Sequence, residues 1–210
     1  MSTSEAQEPT NLRDAQAALT RAHIAEAARQ LFLARGYVGT PMTAIARRAG
    51  VAVQTIYNVV GNKSAVLSAV LDLVAAGPNA PVPVPRFMEQ RAAATADFDG
   101  IIAVLADWFV EVHPRTTELF GLIRQAAAVD AEVAALENER GAQRLRNYLL
   151  AAAQLRERGG LTRGQSDEDA AAAIWALAHP DTYRELVTAR GWSAERYRHW
   201  LAQSLSAALR

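Results

Sequence analysis

Gln54, Thr55, Tyr57, Asn58 and Lys63 lie close together in the chain and between them carry amide, hydroxyl, phenol and ammonium groups. Glutamine and asparagine amides can pair bidentately with adenine, and a valine or threonine methyl can touch the methyl of thymine. Phenol and ammonium groups are natural phosphate ligands, which fix a protein on a duplex without reading its sequence. With Val53 at the same helix start, and Thr43 upstream as a further phosphate contact, this set predicts a surface for double-stranded DNA. Free backbone amides where a helix opens at Asn62 add to that expectation. No second constellation points to chemistry. The four histidines are scattered, none stands with a carboxylate at metal-ligand spacing, and neither HExxH nor a phosphate-binding glycine loop occurs. We therefore expect no enzyme activity, no cofactor and no metal.

Two short helices must hold these side chains. Thr40 as N-cap and Pro41 at the first helical position open one, Met42, Ile45 and Ala46 give it an apolar face, and Gly50 ends it. The other covers residues 53–59 and stops near Gly61. A longer amphipathic helix precedes them, from about Asp14 to Arg35, with Ile24, Ala27, Ala28, Leu31 and Phe32 at helical spacing and Gly36 as its stop. Such a triplet is a helix-turn-helix, with Gly50 free to take positive φ and Ile45, Val51 and Ile56 filling the space between helices. A fourth helix runs from the Asn62 cap to about Ala76, with Val66, Leu67, Val70 and Leu71 on one side.

These residues resemble the TetR family of transcriptional regulators. The resemblance rests on Ile24-x-x-Ala27-Ala28-x-x-Leu31-Phe32-x-x-x-Gly36-Tyr37, on Thr40-x-x-x-x-Ile45-Ala46-x-x-Ala49-Gly50-Val51, and on Thr55-Ile56-Tyr57 followed by Lys63. It covers about residues 20 to 75 and extends more loosely to Trp175-Ala-Leu-Ala-His-Pro180 and Arg190-Gly-Trp-Ser193. Ala52 stands where the family often has a capping Ser or Thr. The resemblance implies an all-α homodimer: an N-terminal three-helix DNA-binding unit with a helix-turn-helix, then a larger helical ligand-binding and dimerisation domain. It also implies a regulator, a repressor in most such families, that leaves a pseudo-palindromic operator when a small effector binds.

Composition agrees with an all-α chain. Of 210 residues 45 are alanine, the best helix former, while 22 Lys plus Arg balance 22 Asp plus Glu. That zero sum hides a gradient, +2 over residues 1–76 and −2 over residues 77–210. The absence of cysteine excludes disulfides and thiolate metal sites and fits a cytoplasmic protein. Unbroken apolar runs fall short of the roughly 20 residues a membrane span needs. Residues 1–13 read as a frayed tail, 14–61 as the DNA-binding domain, 62–76 as a connecting helix, 77–87 as an extended proline-rich linker and 88–210 as the ligand and dimer domain.

In that last domain Pro114 reads as the start of a new helix, and Leu145 as part of the buried side of a long helix over residues 130–158. Under the resemblance, Met88, Trp108, Phe109, Phe120 and Trp175 are expected to give a mostly apolar effector cavity, with His113, Arg124, Asn147 and Tyr148 as its polar groups. Taken singly, each aromatic is better read as core. Ala171, Ile174, Ala178, Tyr197, Trp200, Leu201 and Leu205 are expected at a dimer seam, where alanines let helices approach closely. The alternative is an all-α module for a hydrophobic ligand or a protein partner whose helix-turn-helix no longer binds DNA.

Overall fold

The computed structural model describes residues 8–79 and 82–210, and these are helical with no strand among them. Helix α1, Glu8–Arg35, starts earlier than the sequence predicts, so residues 8–13 of the expected tail are helix and residues 1–7 lie outside the described residues. It ends as expected at Gly36, whose amide donates to the Phe32 carbonyl at 2.9 Å. Helices α2, Met42–Ala49, and α3, Val53–Val59, follow. Gly50 takes φ 64°, and the Val51 amide reaches back to the Ala46 carbonyl at 3.0 Å, closing the end of α2.

Thr40 is not a helix cap. Its hydroxyl is fully buried and donates to the Gly36 and Leu31 carbonyls at 2.8 and 3.2 Å, while Pro41 holds the N-cap position of α2 without a side-chain bond. The buried end of α1 needs a donor more than the exposed start of α2 does. Helix α4, Lys63–Ala76, is capped as predicted by Asn62, whose side chain accepts from the Ala65 amide at 2.9 Å.

The proline-rich stretch is shorter than expected. Residues 77–79 form a 3₁₀ turn, and α5, Val84–Ala93, begins inside the stretch because Pro85 falls in its first turn, where a missing N–H costs nothing. Helix α6, Phe98–Ala127, is continuous through Pro114, contrary to the predicted break. Its buried stripe continues on both sides, through Val112 and His113 before the proline and Leu119 and Ile123 after it, and outweighs one lost backbone bond. Helix α7, Ala131–Glu157, leaves Leu145 40 % exposed, so that residue is not on its buried side. Helix α8, Asp167–Leu177, opens on a capping box between Ser166 and Asp169. A short α9, Pro180–Tyr183, widens into a π-helical turn over Arg184–Ala189, and α10, Ala194–Leu209, starts at the Ser193 cap.

Two apolar clusters result. The first joins Ile24, Phe32, Ile45, Ile56, Leu67 and Val70 of α1–α4 to Leu119, Ile123 and Val133 of α6 and α7. The second packs Phe98, Ile101, Phe109, Leu155, Ile174, Tyr197, Leu201 and Leu205. One stretch, Lys63–Ala93, is long and apolar enough by composition to cross a membrane. It is interrupted by the turn at Gly77–Asn79, and α4 buries Val66, Leu67, Val70 and Leu71 within the first cluster.

Candidate functional site

The helix-turn-helix presents α3 outward. Ile56 is its one fully buried residue and anchors the helix, while Gln54, Asn58 and Tyr57 are exposed and Val53 and Thr55 half-buried. The Gln54 amide donates to the Asn58 carbonyl oxygen at 2.9 Å, so two base-reading candidates form one polar edge. Ala52 gives α3 no side-chain cap. Thr43 is exposed on the first turn of α2. Arg48 bonds Gln30 of α1, and His23 bonds the Ala49 carbonyl at 3.1 Å; both tie α2 to α1.

Lys63 is less free than its spacing suggests. Its ammonium lies 4.1 Å from the centroid of the Tyr37 ring, and burial lowers its pKa against an opposing pull from Asp130. Tyr37 itself is pushed up to about 12, by burial first and then by Asp130 and Glu132. The start of α4 also has an acidic neighbour. Glu132 of α7 accepts from the Asn62 side-chain amide at 2.9 Å and the Ser64 hydroxyl at 3.2 Å. A carboxylate near that end competes with phosphate for the positive end of the helix.

Behind this unit a cavity of about 610 Å³ opens between α1, α4, α6 and α7. Trp108, Phe109, His113, Phe120, Asn147 and Tyr148, six of the residues expected at a pocket, line it. Arg124 and Trp175 line an adjoining cavity of about 410 Å³ instead, and Met88 lines neither because it packs against the second cluster. Phe120, Arg140, Arg144 and Pro180 belong to both walls. His113 is 3 % exposed, stands 3.4 Å from the Tyr197 hydroxyl, and is lowered to about 3 by burial, with the positive charge of Arg144 acting in the same direction. It is a neutral imidazole near pH 7.

Sequence reasoning missed Thr116 and Arg144 and the contribution of α1 and α4 to the larger wall, including Ala25, Leu71 and Leu73. For Arg144 a signal existed, since it precedes Tyr148 by one helical turn. Of the residues expected at a dimer seam, Ala171, Ile174, Ala178, Tyr197, Leu201 and Leu205 are fully buried inside the protomer, and Trp200 alone is partly open. They form the inner face of α8 and α10 because the second cluster needs them. The outer face carries Ala172, Ala176, Gln203 and Ala207.

Three sets of contacts hold α4 to the cavity domain. Arg140 of α7 pairs with Asp72 at 2.8 Å and bonds Ser68, and Glu132 holds the helix start. At the far end Arg115 of α6 donates to the Val74 and Ala75 carbonyls at 3.0 and 3.1 Å. Gly77, at φ 55°, admits that guanidinium, since a Cβ there would lie 2.6 Å from its carbon.

Residues 24–70 match the family of bacterial regulatory proteins called tetR. Solved structures share the fold over nearly the whole chain. A TetR-family transcriptional regulator from Mesorhizobium loti superposes with TM-score 0.69 at 21 % identity, over 91 % of this chain and 96 % of that one. NalD, the secondary repressor of the MexAB-OprM multidrug efflux pump in Pseudomonas aeruginosa, gives 0.69 at 20 %, over 92 % and 98 %. SmeT in complex with triclosan gives 0.69 at 21 %, over 91 % and 92 %. No curated protein sequence matches the chain. The fold is that of the TetR-family transcriptional regulators, an N-terminal three-helix unit followed by a larger helical domain.

Proposed function

We propose that the protein is a cytoplasmic transcriptional repressor that binds a pseudo-palindromic operator as a homodimer and leaves it when a small, largely apolar molecule enters the cavity. The observation that carries this reading is the exposed edge of α3, where Gln54, Tyr57 and Asn58 face outward from a unit whose Ile24, Ile45 and Ile56 are fully buried. In this reading Val53, Gln54, Thr55 and Asn58 meet base edges, while Thr43, Tyr57 and Lys63 hold phosphates. Lys63 leaves the Tyr37 ring to do so. A two-fold dimer doubles a short recognition site, and the outer face of α8 and α10, with Ala172, Ala176, Gln203 and Ala207, is the proposed seam.

Coupling runs through α4, which belongs to the reading unit's core and is bonded to α7 by Arg140 and to α6 by Arg115. A ligand that moves α6 or α7 moves α4, and with it the spacing of two recognition helices that must meet successive major grooves about 34 Å apart. Gel shifts on DNA flanking the coding region, repeated over a salt series, test the proposal. Sequence-specific binding that weakens steeply with salt is the expected result. No specific binding at low salt would favour the module that has lost DNA binding, a reading to which the uncapped start of α3 lends weight.

A further inference from the structure

Arg144 is a cation with no anion in contact with it. Its Nε is buried with no acceptor, and its guanidinium makes no ion pair or hydrogen bond among the described residues. Its neighbours are otherwise committed: Arg140 is held by Asp72 and Ser68, and Arg124 by Asp181 at 3.0 Å. Instead, the Arg144 carbon lies 4.7 Å from the Phe120 ring centroid and 4.5 Å from that of Trp175. Aromatic faces attract the charge but accept none of its in-plane N–H groups, which remain a donor fork for a planar anion.

The place is as telling as the charge. Arg144 stands on the wall shared by the two cavities. The larger one also carries Arg21 near its α1 edge but is mostly apolar, through Leu71, Trp108, Phe109 and Val112, and its single described carboxylate, Asp72, is already paired with Arg140. Asp181 and Glu137 on the smaller wall attract Arg144 at longer range, but neither makes an ion pair with it. Burial lowers the Arg144 pKa, as expected for a charge that its surroundings compensate poorly.

Building on the proposed effector cavity, we infer that the ligand is an amphipathic monocarboxylate, its carboxylate bound bidentately by Arg144 and its hydrocarbon body lying along α4 and α6. A planar two-oxygen anion matches the guanidinium fork, and the apolar stretch of wall along α4 and α6 suits an uncharged hydrocarbon body. Asn147 and Tyr148, on the same wall, are placed to border the head group.

The test titrates the full-length protein with decanoate, decanol and decylamine, following tryptophan fluorescence and calorimetric heat, in the wild type, Arg144→Met and Arg144→Lys. Decanoate should bind at least tenfold more tightly than decanol, with decylamine weakest. Arg144→Met should lose at least tenfold in decanoate affinity while keeping decanol binding, which also shows that the variant is folded. Arg144→Lys, which keeps the charge without the fork, should fall between the two. If the three ligands bind alike, or if Arg144→Met binds decanoate as the wild type does, the anion assignment fails and the apolar cavity reading survives. If none of the three binds the wild type, the effector cavity itself is overturned, and the anion assignment with it.

Discussion

The reading unit and the cavity domain treat space in opposite ways. In the first, Ile24, Phe32, Ile45 and Ile56 are fully enclosed and the working side chains face outward; in the second, Phe109, His113 and Tyr148 border a hollow of about 610 Å³. A sealed core fixes the direction of a short helix such as α3, whereas an unfilled one leaves neighbouring helices two ways to pack. The contrast teaches that a closed unit and an open one sit in separate parts of the chain, with α4 built into both.

The largest test of the contrast is Ile45→Ala, which should cost about 3 kcal/mol in denaturant unfolding because a closed core cannot collapse around the gap. Ala76→Leu, on the cavity wall, should change stability by less than about 0.5 kcal/mol, since its added methyls meet open space.

Acid should find the cavity side first. His113 has its folded pKa lowered from 6.5 to about 3, so between those values the unfolded chain binds a proton that the folded chain does not. Stability therefore declines as pH falls through that window, by about 2 kcal/mol at pH 5 from this group alone. His113→Gln should flatten the pH profile of urea midpoints between pH 7 and 5; an unchanged slope would reject the buried neutral imidazole.

On the reading side, Tyr57→Phe combined with Lys63→Ala should weaken operator binding about tenfold and reduce the salt slope by about one, with little change in thermal midpoint. Asn62→Ala should cost about 1 kcal/mol through the lost cap, measurable by urea unfolding. Smallest in stability is Asp72→Asn, below about 0.5 kcal/mol because the pair with Arg140 is partly exposed. Its expected signature is a weaker effect of ligand on DNA release in gel shifts.

The reading unit was legible in sequence because its signals are local. Gly36 and Gly50 end helices through backbone demands of their own, and the apolar residues at helical spacing do meet within one short segment. Thr40 misled because the cap rule sees residue type and not depth; its hydroxyl turned toward the carbonyls of α1. Pro114 misled for a similar reason, since the burial that carries α6 through it comes from distant helices. Periodicity found the apolar stripes of α8 and α10 but cannot say whether a stripe faces its own chain or another, and here Ile174, Tyr197 and Leu201 face their own. A cavity is what several remote segments leave unfilled, so the aromatic residues were identifiable as a group and the walls from α1 and α4 were not.

Lys63, stacked on Tyr37 at the first turn of α4, is the one lysine among 210 residues. A lysine-specific endoprotease therefore has a single bond to cut, at the seam between the reading unit and everything after it. Proteolysis needs an extended backbone, so in the folded chain that bond is cleaved only when the start of α4 unwinds. The rate of one cut is thus a built-in clock for how often the junction opens, and adding ligand or DNA to the digest would show directly which of them winds it tighter.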